Sequence, residues 1–198
     1  MTANVADDKV AKFARQQHDW MERVLKGSLD PVEVAQAVQN IINRGQKLFN
    51  PHAYFKTREG LWVSDEFANR ILTKQPTTMP YRGLEGVTSN NLARNMTDTE
   101  IIDELLDGME EVRKHASTLD QIATMIDLQP KGIDGELLNN GDANIFYVLV
   151  GGVLFAVLVY WDSDNRKWNV HGWPLVKRGD WLAGCRVFRK MTLVIRIS

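Results

Sequence analysis

The chain has 198 residues, 44% apolar and 25% charged, with 14 Gly, 6 Pro, one Cys and a formal net charge of -1. These proportions exclude wholesale disorder, collagen-like or low-complexity sequence and a disulfide scaffold. They also give the whole molecule no strong pull toward nucleic acid or anionic membrane.

The lone Cys185 cannot form an internal disulfide, and the opening MTANVADDKV holds no apolar stretch, so the expected location is the cytoplasm. The near-zero total charge hides an uneven distribution. Residues 1–96 sum to +3, residues 97–142 to -9 and residues 143–198 to +5. An acidic block therefore precedes a basic one. The two can pack side by side, or the basic end can face an anionic partner.

In chain order, Val10, Phe13, Ala14, Trp20, Val24 and Leu25 form an apolar stripe at helical period that Gly27 stops. Asp30-Pro31 with Glu33 then caps a second helix, which buries Val34, Ala37, Val38, Ile41 and Ile42. The short turn between them predicts an antiparallel helical hairpin. Residues 54–57 and 61–63 flank Arg58-Glu59-Gly60 and predict a small β-hairpin. A short helix capped by Ser64 or Asp65 turns Phe67, Ile71 and Leu72 inward. Residues 75–96 have no period and read as a functional loop or a linker. Thr97 and Glu100 form a capping box that opens an acidic helix, with Ile101, Leu105, Met109 and Val112 on one side. Thr118 and Gln121 cap a further helix, 118–128, which stops before Pro130.

Ile145 to Trp161 is a run of 17 uncharged residues, long enough to be weighed as a membrane span. A helix of that length reaches only ~26 Å against a hydrocarbon core of ~30 Å. Eleven of the 17 are β-branched or aromatic, and Gly151-Gly152 sits where a two-residue turn belongs. Two central strands buried on both faces are the better reading. A turn at Asp162 to Asn165, a third strand from Lys167 to Trp173, a fourth from Cys185 to Phe188 and a fifth from Thr192 to Ile197 follow.

The expected fold is therefore α+β. A helical N-terminal half, a helical hairpin plus further helices over 1–128 with the small β-hairpin near 54–63, precedes a C-terminal antiparallel β-meander over 140–198. The helices cover one side of the sheet, as one compact unit or two tightly packed subdomains.

Several short stretches resemble a set of uncharacterised bacterial proteins. They are Leu25 to Pro31 with Glu33-Val34-Ala35, Arg94 to Asp98 with Glu100-Ile101, and Leu137-Leu138 through Gly141 to Val148. Trp161, Trp168-Asn169-Val170, Trp181 and Gly184 with Arg186-Val187-Phe188 complete the match, over residues 20–189. The resemblance implies a common bacterial fold and no activity.

Trp161, Trp168, Trp173 and Trp181 fall within 21 residues of a segment that also holds Arg166, Lys167, Lys177, Arg178 and Arg186. Aromatic faces stack bases while cations track phosphates, so this composition suits a nucleic-acid groove; it also suits a small β core with a charged rim. Strand parity sets Asn169, His171 and Trp173 on one face and Trp168 and Val170 on the other. The favoured expectation is a non-enzymatic binding module for a protein partner, acting through Trp168, His171, Trp173, Arg178, Trp181 and Arg186. Single-stranded nucleic acid is the alternative partner. A third reading is a hydrolase or transferase built on Cys185 and His171, with Asp162 or Asp164 orienting the imidazole. No cofactor, metal or membrane is expected, since the chain lacks a phosphate-loop or dinucleotide motif and its histidines lack ligand spacing.

Overall fold

A computed structural model describes residues 22–28, 30–34, 47–84, 86–175 and 180–190. The chain forms two compact units, Met1–Lys47 and Leu48–Ser198. In the first, residues 22–25 and 31–34 are helical and Gly27 takes a left-handed φ of 69°. Asp30 Oδ1 accepts the Val32 amide at 2.7 Å, as a helix cap does. The remainder of the expected helical hairpin lies outside the described residues.

The second unit contains strands β1 (Leu48–Phe49), β2 (Leu61–Val63), β3 (Met79–Pro80), β4 (Val87–Asn91), β5 (Asn144–Val150), β6 (Val153–Asp162), β7 (Lys167–Pro174) and β8 (Arg186–Lys190). Its helices are α1 (Pro51–Tyr54), α2 (Asp65–Arg70), α3 (Asp98–Leu105), α4 (Met109–Lys114) and α5 (Leu119–Leu128). Six strands form one sheet in the order β2-β7-β6-β5-β8-β4. β5 and β6 are its central hairpin, turned by Gly151 and Gly152 at φ 56° and 79°, values that glycine adopts without strain. Among the described residues no helix is long and apolar enough to cross a membrane.

Five expectations are corrected here. The sheet is mixed and is not an antiparallel meander, because β2 joins β7 in parallel and β8 joins β5 in parallel. The N-terminal half is not simply helical, since it supplies both edge strands, β2 and β4. The small hairpin near 54–63 is reduced to one bridge, Arg58 to Leu61. Of its first arm, residues 54–57, Tyr54 ends α1, which Asn50 caps and Pro51 begins, and the rest is irregular, while β2 pairs with β7 instead. Residues 75–96 are not a bare loop, for Val87 to Asn91 zip onto β8 as an edge strand. The acidic helix breaks at Asp107-Gly108, both at positive φ, into α3 and α4.

Helices cover both sheet faces, not one. On the first, Phe67, Ile71, Leu119, Ile122 and Ile126 of α2, α5 and the residue after α2 meet Phe146, Val157, Val159 and Val170. On the second, Ile101, Ile102 and Val112 of α3 and α4 meet Ile145, Tyr147 and Val187, with Trp181 among them. That is why the apolar run from Ile145 has no polar alternation: both faces of its strands leave water. The last predicted strand, 192–197, lies outside the described residues.

Candidate functional site

The structure separates the residues that the sequence groups together. Trp168 and Trp181 are each 1% exposed and cannot stack on a ligand. The Trp181 indole N–H donates to Asp98 Oδ1 at 2.8 Å, beside a second donor to the same oxygen, the Tyr147 hydroxyl at 2.8 Å. Burial and then the Asp98 carboxylate push the Tyr147 hydroxyl well above the ordinary phenol range. His171 and Trp173 share the face that parity assigns them. His171 stacks on Trp173 at 5.2 Å and on Tyr160 at 5.8 Å, and meets Trp62 of β2 at 5.0 Å. Arg186 is committed locally, donating to Asn91 Oδ1 at 2.7 Å and to the Glu136 carbonyl at 2.6 Å. Arg178 lies outside the described residues.

Cys185, 5% exposed, precedes β8, whereas His171 lies in β7. Three strand spacings separate those strands in the sheet order, about 14 Å, so the thiol and imidazole cannot share a proton. Among the described residues no group of three or more His, Cys, Asp or Glu side chains is placed to hold a metal.

A site assembles elsewhere, where three chain turns meet at one end of the sheet. The first turn, Arg58-Glu59-Gly60, closes with the Arg58 amide on the Leu61 carbonyl at 2.8 Å. The second ends α5, where Pro130 stops the helix and Lys131 takes φ 60° and ψ 25°. The third joins β6 to β7, and there Asp162 Oδ1 accepts the Asn165 amide at 3.0 Å while Arg166 takes φ 51°. That amide, the Asn165 side chain and Lys167 hold the Asp162 carboxyl below its usual range.

Trp168 ties the three turns together. Its backbone amide donates to the Gly60 carbonyl at 3.0 Å and its indole N–H to the Gln129 carbonyl at 2.9 Å. The Gln129 side chain, itself buried, holds the following loop by accepting the Leu137 amide and donating to the Ile133 and Leu137 carbonyls. The ring that the sequence offers as a stacking surface is thus the bracket of a cleft.

That cleft has a volume of about 670 Å³. Leu61, Ile126, Pro130 and Trp168 supply apolar wall, and Arg58, Lys131, Arg166 and Lys167 supply charge against Glu59 and Asp127, an excess of two positive charges. Asp127 accepts the Tyr54 hydroxyl at 2.7 Å, and the Arg58 guanidinium lies 4.7 Å over the Tyr54 ring. Among the described residues, Lys131, Arg166 and Lys167 form no ion pair within 4.0 Å.

A second cavity, of about 180 Å³ beside α4 and β8, also carries cations. There Arg189 already meets Asp107 at 2.9 Å, so its charge is answered. The larger cleft was not legible in sequence: residues 58, 131 and 166 share no motif, and the only local signal is two long cationic side chains in turns that favour glycine.

The chain matches no protein-family model, no curated protein and no solved structure.

Proposed function

We propose that this protein is a binding module that engages an anionic partner through the cleft between its three turns. The observation that supports the reading is the excess of cations around one cleft: Lys131 and Arg166 reach it from separate turns and, among the described residues, form no ion pair within 4.0 Å, and Lys167 adjoins Arg166. Unpaired cations with low-dielectric wall beside them attract anions more strongly than the same charges scattered in water. Among the described residues the lining holds no histidine, cysteine, serine or threonine, and what it offers a ligand is charge and apolar surface. The site is the basic end of the C-terminal sheet, at the β6–β7 turn, and not the tryptophan faces.

Heparin, a soluble polyanion, tests this. Binding to the full chain is expected at 50 mM salt and is expected to fall steeply by 200 mM. The double reversal Arg166→Glu/Lys167→Glu is expected to abolish it. Arg113→Glu serves as control, because Arg113 bonds the Gly152 carbonyl at the hairpin tip, at the opposite end of β6. Equal loss in both variants, or no binding at low salt, refutes the reading.

A further inference from the structure

The charge of this cleft is local as well as positive. The carboxylates Glu59 and Asp127 share its rim with the cations. Along the chain, Asp162 and Asp164 come just before Arg166 in the third turn, and Asp134 comes just after Lys131. A nucleic-acid strand carries one diester charge per phosphate and needs a cationic track along its length. A strand lying along this cleft would pass the carboxylates Glu59 and Asp127 of its lining. A terminal phosphate group, by contrast, gathers about -1.5 to -2 charges and three acceptor oxygens in one place. That matches an excess of two positive charges set around a single pocket.

The backbone points the same way. Among the described residues only three non-glycine residues have positive φ, and two of them, Lys131 and Arg166, line this cleft. Left-handed backbone strains an L-residue, a strain that glycine would avoid. Long cations occupy these two positions instead, each tethered by a rigid turn. The volume of about 670 Å³ falls in the range of small-molecule sites, roughly 300–1,000 Å³. Apolar wall from Leu61, Ile126 and Pro130 leaves room for an uncharged body behind the phosphate.

Resting on the anionic-cleft reading, we infer that the cleft takes a terminal phosphate or diphosphate group, borne on a small molecule or on a strand end, and not the diester backbone of nucleic acid. Lys131 and Arg166 are its phosphate ligands, with Lys167 beside them. Arg58 is held over Tyr54 at the other wall.

Calorimetric titration of the full chain with four probes tests the inference: inorganic pyrophosphate, adenosine diphosphate, a thymidine dodecamer with a 5′-phosphate and the same dodecamer without it. The first three are expected to bind, and the unphosphorylated strand at least tenfold more weakly than its phosphorylated twin. Arg166→Gly and Lys131→Gly keep the left-handed turn while deleting the cation, so folding is preserved; each is expected to weaken pyrophosphate at least tenfold. Circular dichroism confirms the fold of each variant. If both dodecamers bind equally and tighter than pyrophosphate, the terminal-phosphate inference fails while the anionic cleft stands. If no probe binds, or the glycine variants bind as well as wild type, both fail. Preference for adenosine diphosphate over the phosphorylated dodecamer assigns the small-molecule source, and the reverse order the strand end.

Discussion

Removing the Asp98 carboxylate gives the sharpest test of how the second face of the sheet is held. Asp98 opens α3, is 7% exposed, and accepts both the Tyr147 hydroxyl and the Trp181 indole N–H at 2.8 Å. Tyr147 comes from β5 and Trp181 from the segment before β8, so one carboxylate joins a helix, a central strand and the stretch that leads into β8. In Asp98→Ala both donors stay buried without an acceptor, each costing roughly 1–3 kcal/mol, which sums to about 2–6 kcal/mol. A carboxylate in the first turn of a helix contributes a further ~0.3–1 kcal/mol. Asp98→Asn keeps an acceptor oxygen and loses the charge, so about 1–2 kcal/mol is expected.

Urea denaturation followed by tryptophan fluorescence and by far-ultraviolet dichroism reads both variants. In a thermal melt the alanine variant is expected to unfold roughly 4–24 °C lower, at about 2–4 °C per kcal/mol for chains of this size. Tyr147→Phe in the Asp98→Ala background should cost less than it does alone, because its hydroxyl has already lost its acceptor. An Asp98→Ala variant within about 0.5 kcal/mol of wild type would refute the account, since surface substitutions do no more.

Three further outcomes follow from particular positions. Gly132→Ala places a Cβ 2.3 Å from Trp161 Cε2 at φ +68°, so a loss of about 2–4 kcal/mol in urea denaturation is expected, from overpacking plus left-handed strain. Arg166→Gly relieves strain at φ 51° and should leave the melting temperature unchanged or raise stability by up to about 1 kcal/mol, even as ligand affinity falls. The Glu100 carboxyl is held down at about 2 by the Thr97 amide first, then the Thr97 hydroxyl and Arg94, against an ordinary value of 4.5. Its depressed value makes its contribution present above pH 4.5 and lost as pH falls toward 2. Urea midpoints measured across that window should drop less steeply in Glu100→Gln than in wild type.

Much of the local structure is legible in the chain. Gly151-Gly152 announces a two-residue turn because both positions need positive φ, and the uncharged run around it announces strands buried on both faces. Thr97 with Glu100 marks the start of α3 through reciprocal bonds between residues three apart. Parity also separates Trp168 from His171 and Trp173, as the sheet does. The tryptophan cluster misleads, however, because composition does not say which rings are covered: Trp168 and Trp181 hold the core together through their N–H groups. The fourth predicted strand occurs, but its partners are β5 in parallel and β4, and not its sequence neighbour β7.

What the sequence alone determined is whatever a contiguous stretch decides through its own backbone demands: turns, caps, strand and helix segments, and the burial of the β5–β6 hairpin. Tertiary structure alone decided which remote edges pair and which turns meet. Residues 61–63 are expected as a strand but with another partner, and β4 is not expected as one; β7 and β8 present the backbone groups with which they pair. The cleft exists because Trp168 bonds both Gly60 and Gln129, drawing Arg58, Lys131 and Arg166 together from turns far apart along the chain. Hydrogen bonds of that kind leave no periodicity in a sequence, because both acceptors are backbone carbonyls, which every residue carries.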